Sequence, residues 1–313
     1  MENNSNNLNQ ANTPLQNNIA DDEIDLRELF TAIWQGKWII IAITTLFAVA
    51  SVFYAINQPN IYKSEVLLAP ANQDKASGLS NQLGGLASLA GINLGGSNGV
   101  DKTQMALEIL KSRKFVTNFI DKHNLLPNLM ASKSWNQIDN EIIYNLKLYN
   151  PAKNEWSVNG NIKKPTLQEA YRVFRGLQTY NLDKETGMVT ISIQHLSPII
   201  AKKWVDWLVQ DINLVMKERD VNEANKSIDF LSTQIEQTKV ADIRTVLYRL
   251  IEEQVKIIMF AKVRDEYVFK TIDPAIVPEQ RSKPSRTVIS VLGTFFGVIV
   301  GVFGVFLVNV FRK

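Results

Sequence analysis

Two long apolar runs frame this chain. Residues 38–56 read WIIIAITTLFAVASVFYAI, residues 288–310 read VISVLGTFFGVIVGVFGVFLVNV, and neither run holds a charge. At about 1.5 Å per residue the second run reaches roughly 34 Å, enough to cross a bilayer with some tilt. Trp38 and Tyr54 sit near the ends of the first run, as interfacial aromatics do. The stretch before it is long and acidic and no small-residue cleavage site follows, so a retained anchor is expected rather than a signal peptide. In the second run Gly293, Gly297 and Gly301 recur every fourth residue, with Gly304 one turn on. That spacing gathers them on one face, where another helix can approach closely. The plainer reading is that glycine is simply common in membrane helices.

Between the runs the pattern turns mixed, and residues 57–287 are numerous enough to build their own core. Residues 61–68 read as a strand. Residues 101–123 read as one helix with Met105, Ile109, Leu110, Val116, Phe119 and Ile120 inward. Thr166 and Glu169 form a capping box that opens a short helix. Residues 177–182 and 188–195 are two strands joined by a turn at 183–187, a predicted hairpin. Ser197 and Pro198 then open a long helix as cap and first helical residue. No glycine or proline interrupts residues 199–273.

The apolar positions of this long stretch are Val205, Leu208, Ile212 and Val215, then Ala224, Ile228, Leu231 and Ile235. Residues 217–222 between them are nearly all polar, so the helix is expected to leave the core there and stand in water. A second stripe follows: Ile243, Val246, Leu247, Leu250, Ile251, Gln254, Ile257, Ile258 and Ala261. Residues 266–272 look like a strand. One straight helix over 199–265 would be about 100 Å long. The residues from 265 to the second run reach at most about 70 Å when fully extended. The chain must therefore turn back, and the turn is expected between residues 237 and 242. The fold class expected is α+β: two membrane spans (38–56 and 288–310), an α/β base within 57–287, and a protruding antiparallel helical hairpin over about 199–265. Residues 1–37 and 311–313 are the tails.

Composition narrows the chemistry. The chain has 313 residues, a net charge of +3 and no cysteine. The charge is too small to argue for nucleic acid, and there is no thiolate or disulfide framework. His123 and His195 lie on different predicted elements, and no carboxylate spacing completes a metal site around either. Adjacent acids such as Asp21–Asp22 or Glu252–Glu253 point about 100° apart on a helix and do not converge on one atom. Ser192 and His195, three apart on a strand, face opposite sides. No catalytic, cofactor-binding or metal-binding residue is expected, and no cofactor. Trp135, Trp156 and Trp207 could stack on sugars, although a place in the core is the simpler role for each.

Residues 1–20 are rich in Asn and Gln and are expected to be a disordered tail. Asp21 and Asp22 can cap a short amphipathic helix through Ile24, Leu29, Phe30, Ile33 and Trp34 that ends at Gly36. It either lies at the membrane surface or simply leads into the first span. Residues 71–100 are rich in Gly, Ser and Asn but lack a G-K-[ST] signature, so a loop or small-residue helix is expected rather than a phosphate cradle. Two spans put both termini on the same side. Basic residues flank both the tails and the loop, and long loops translocate largely regardless of charge, so the count does not choose the side.

Several segments together resemble the chain-length determinant family, the Wzz-type proteins also called class 1 polysaccharide co-polymerases. They are IDLRELFTAIWQGKW before the first span, YKSEVLLAP after it, and ALEILKSRKFVTNFIDKHNLLP. TLQEAYRVF and VTISIQHLSP also fit. Most specific is IDPAIVPEQRSKPSR, with Pro274, Pro278 and Pro284 just before the second span, similar to the family's membrane-proximal proline motif. Prolines would hold such a connector extended.

The resemblance implies an inner-membrane protein with both tails cytoplasmic and the α/β domain with its arm periplasmic. It implies a ring-like homo-oligomer, no catalytic activity, and control of the modal length of lipopolysaccharide O-antigen made by a separate membrane polymerase. The partners implied are that O-antigen polymerase and the growing polysaccharide. Whether the ring holds the glycan or the polymerase stays open. So does the product: common antigen, capsule or exopolysaccharide are alternatives to O-antigen. A two-span periplasmic receptor is a weaker rival, because only residues 311–313 follow the second span. The short return after the long helix implies a modest arm. The lack of a Walker A motif or tyrosine-rich tail sets the chain apart from relatives with a fused kinase.

Overall fold

The computed structural model describes residues 34–71, 98–156 and 164–312. The expectations for residues 1–33 and most of 71–100 lie outside them. The described chain falls into two compact units, one of Gln58–Ser285 and one containing both apolar helices.

In the larger unit, the β-branched and aromatic stretches become a four-stranded antiparallel sheet. Its strands are β1 (Tyr62–Pro70), β6 (Gln178–Leu182), β7 (Val189–His195) and β8 (Phe269–Asp273), in the order β6-β7-β1-β8. Two small hairpins lie between them in sequence: β2 (Ser132–Asn136) with β3 (Glu141–Tyr144), and β4 (Tyr149–Asn150) with β5 (Glu155–Trp156). Register fixes which face is buried. Val66 stands opposite Ile191, Ser64 opposite Ile193 and Leu68 opposite Val189, so alternate residues of both strands share the core face. The intervening Lys63 and Glu65 pair with each other outside.

The β6–β7 hairpin forms as predicted. Asp183 Oδ1 accepts from the backbone N–H groups of Glu185 and Thr186, and Gly187 takes φ 70° to close the turn. Those hydrogen bonds hold the Asp183 carboxyl below its ordinary range. The capping box also forms: Thr166 Oγ1 accepts from Glu169 N at 3.2 Å while Glu169 Oε2 accepts from Thr166 N at 2.8 Å.

The helix expected over 101–123 is two. One is α2 (Asn98–Lys111) and the other α3 (Arg113–Lys122), with Ser112 between them in extended conformation and accepting from Phe115 N. A serine competes with the helix for its own backbone, and here it wins as a cap. The buried face of α2 runs through Ala106, Leu107 and Leu110, so Met105 is exposed rather than inward and Ile109 is half-buried, whereas Val116, Phe119 and Ile120 of α3 are buried as expected. Leu177 likewise ends a helix, α5 (Leu167–Leu177), instead of starting a strand, after the short α4 (Leu126–Met130). Phe119, Phe174 and Trp204 pack ring to ring at 5.4 and 5.7 Å and centre the core.

The longest helix is α6 (Pro198–Gln237), capped by Ser197. Three residues separate it from α7 (Ala241–Val263). Lys217 Nζ reaches Arg264 O, and Ser232 and Ile235 share a cavity with Tyr248 and Ile251, so the two helices run antiparallel. The chain turns back within 238–240, inside the window that chain reach required. Two details differ from the expectation. Residues 217–222 do not stand free, because Asp220 accepts from Lys102 Nζ and Tyr267 O–H, both at 2.7 Å. The last strand starts at Phe269, not at 266, because Asn213 seizes the backbone of Val268 and Phe269.

His195 is a structural group. Its Nε2 faces Asn128 O at 3.1 Å, its Nδ1 accepts from Ser197 N at 3.0 Å, and Trp204 covers the ring. Burial pushes its pKa below 6.5. The unfolded chain therefore binds the proton more readily than the folded one, and stability is lost as pH falls below about 6.5. The slope from this one group is at most about 1.4 kcal/mol per pH unit. Urea unfolding across pH 5–7 should show it, and His195→Gln should be less stable overall but flatter with pH. An unchanged slope in that variant would remove His195 as the cause.

Candidate functional site: the span pair, the proline connector and the helical arm

The smaller unit pairs α1 (Lys37–Asn57) with α8 (Arg286–Arg312). Both helices are long and apolar enough to cross a membrane, and Leu46, Val49, Phe53, Phe295, Ile299 and Phe303 point outward into the surroundings. Such a sheath is costly in water and comfortable in lipid. The glycine face of α8 lies against α1 of the same chain. A Cβ at Gly297 would come 2.7 Å from Phe47 Cβ and 3.2 Å from Thr44 Cα. At Gly301 it would come 3.1 Å from Ile40 Cα, and at Gly293 it would overlap Ser51. Gly304 is different: its nearest neighbour is Ile43 Cδ1 at 3.8 Å. Gly36, which the pattern marks only as a helix end, stands just before α1 and faces Val305 in the same way. The helices are thus antiparallel and pressed together by missing side chains.

The proline connector has a partner in its own chain. It runs back along the start of β1, where Ile61 N donates to Lys283 O at 2.9 Å and Ser282 N to Ile61 O at 2.8 Å. Ser64 Oγ donates to Ile276 O at 2.7 Å. Pro274 is exposed, and Pro278 and Pro284 are half-buried. Proline supplies no N–H, and here the donors come from β1 and from non-proline neighbours.

The arm hides only part of its second stripe. Leu247, Ile251, Gln254, Ile258 and Ala261 turn inward, but Ile243, Val246 and Leu250 are exposed, contrary to the expectation, as are Phe230, Met259 and Phe260. Two helices bury only one face each, and α7 is apolar on more than one.

Three polar residues of α6, Asp211 and Asn213 within the apolar stripe and Asp220 in the polar stretch after it, tie the base together. Asn213 binds the returning chain, Asp220 holds Lys102 and Tyr267, and buried Asp211 accepts from Lys122 Nζ at 2.6 Å and sits 2.8 Å from His123 Nε2. For Asp211 the signal is an acid in line with Leu208 and Val215; Asn213 and Asp220 carry no such local mark. Desolvation and the bond to Asp220 raise the Tyr267 pKa, so this phenol stays a donor. His123 stacks on Trp207 at 4.1 Å, with Lys203 over the indole at 4.7 Å. His123 and His195 are not brought together, and no cluster fit for a metal ion occurs among the described residues. Glu252 is exposed and paired with Lys256. Trp135, Trp156 and Trp207 are half-buried: Trp135 lies edge-on to Tyr62 and Trp156 against Tyr149.

Residues 22–123 match the family model described as Wzz, chain length determinant protein. No curated protein matches the chain. Among solved structures, a full-length bacterial polysaccharide co-polymerase is similar over 92% of this chain and 98% of its own, at 11% identity and a TM-score of 0.37. A fragment of WzzB, a polysaccharide co-polymerase from Salmonella Typhimurium, is similar over 72% of this chain and 100% of its own, at 9% identity and a TM-score of 0.29.

Proposed function

We propose that this chain, whose residues 22–123 match the model of the chain length determinant proteins, is a non-catalytic membrane co-polymerase that sets the length of a surface polysaccharide. The family match is the observation that carries this reading. The paired apolar helices support a membrane protein with two spans. In this reading the spans cross the inner membrane, both tails are cytoplasmic, and residues 57–287 stand in the periplasm. The product is lipopolysaccharide O-antigen, and the partner is its membrane polymerase.

The test is a gel of surface lipopolysaccharide from a deletion strain, with and without the gene restored. A clustered ladder that spreads on deletion and returns on restoration supports the reading. An unchanged ladder removes O-antigen as the product.

In the same reading the chain works as a homo-oligomer, joined partly through the outer face of α7. Val246 and Phe260 are each 55% exposed there, an expensive arrangement for a lone subunit in water. Val246→Glu with Phe260→Glu should convert the oligomer to smaller species in detergent, seen by light scattering. An unchanged mass would free this face from subunit contact.

A further inference from the structure

A groove of about 690 Å³ runs between α3 and the base of α6, within the size range of small-ligand sites. Its floor is apolar, made of Ile109, Phe115, Phe119 and Val215, with Leu214 at the edge. Asp211 interrupts that floor, already clamped between Lys122 and His123. His123 is backed in turn by Trp207, so the polar centre is held in place before anything binds. Lys114, Asn118, Glu218 and Arg219 stand on the rim. All four are exposed, and Lys114, Glu218 and Arg219 form no ion pair among the described residues.

We infer that this groove binds a short stretch of sugar chain carrying a carboxylate, an acidic hexose residue. The inference rests on the polysaccharide reading above and names a subsite for it. Three features select this occupant. A protein helix lying here would have to cover the Asp211–Lys122 pair with apolar side chains, which strips water from charges without replacing its hydrogen bonds. Sugar rings alternate apolar C–H faces with hydroxyls, and hydroxyls can take the free lone pairs of Asp211 and the amide of Asn118. The rim leaves Lys114 and Arg219 against Glu218 alone, so an anion gains, and a guanidinium matches a planar carboxylate with two hydrogen bonds.

The test uses the full chain in lipid nanodiscs and isothermal titration. The probes are a short oligogalacturonate, a neutral malto-oligosaccharide and an oligoglutamate peptide. The acidic sugar is expected to bind about tenfold or more tightly than either control. Lys114→Ala with Arg219→Ala should lower that affinity about tenfold or more. Both side chains are exposed, so circular dichroism should be unchanged. Absent binding, equal binding of oligoglutamate, or an affinity untouched by the double substitution would each overturn the proposal. The deletion gel reads length control separately. Sugar binding with an unchanged ladder would keep the groove and remove O-antigen length control; a ladder effect without binding would do the reverse.

Discussion

Asn213→Leu is expected to lose on the order of 3–5 kcal/mol of stability, among the largest effects of any single change in the base. Asn213 lies at the root of the arm, buried on α6, where its Oδ1 accepts from Val268 N at 2.8 Å and Phe269 N at 2.9 Å. Its Nδ2 donates to Phe269 O at 3.1 Å. One side chain thus satisfies three backbone groups of the chain returning from α7. Leucine has a similar volume but leaves two donors and an acceptor buried without partners. Each such group costs about 1–3 kcal/mol, and neighbouring losses overlap. Urea unfolding of the full chain in detergent measures the loss. Exposed Gln210→Ala, one turn earlier on the same helix, should stay within about 0.5 kcal/mol of the parent and serves as control. An Asn213→Leu protein as stable as the control would mean that water or backbone movement repairs these bonds.

Gly297→Leu should separate the two apolar helices. Even a methyl group at this position meets Phe47 Cβ at 2.7 Å and the Thr44 backbone at 3.2 Å. Backbone cannot step aside as a flexible side chain can, and overpacking of this kind costs about 1–3 kcal/mol. Gly304→Leu is the matched control, since its surroundings are open to 3.8 Å. The chain has no cysteine, so a Cys pair at positions 47 and 296, where Phe rings now lie 5.8 Å apart, can be joined by a short bifunctional reagent. Cross-linking within one chain should be efficient in the parent and with Gly304→Leu, and largely lost with Gly297→Leu. Membrane insertion itself should persist, because the apolar length is unchanged. In the proposed function, Gly297→Leu also broadens the length distribution. Equal cross-linking in all three proteins would sink the close-packed pair.

These two residues differ in how visible they are in the sequence. Gly297 stood out because a four-residue recurrence in an apolar run has a direct geometric meaning. Asn213 did not, because an amide beside Ile212 looks like any boundary residue until the chain returning from α7 is laid against it. The same division runs through the fold. The β6–β7 hairpin, the Thr166 capping box and the Ser197 cap depend on neighbours within a few residues, and they formed as read. Ser112 shows the limit of periodicity: one side-chain bond to Phe115 N split a helix whose apolar spacing looked continuous.

The sequence by itself determined the two apolar helices, the caps and turns, the long uninterrupted helical stretch and, through chain reach, its reversal. Each follows from covalent geometry or from contacts close along the chain. Only the tertiary structure decided that the glycine face meets α1 of the same chain, and that the connector lies along β1. It alone placed Asp211, Asn213 and Asp220 as ties within the base and left one side of α7 bare. Those outcomes depend on which distant groups meet, and a buried hydrogen-bonding group is defined by its partner, which no local pattern contains.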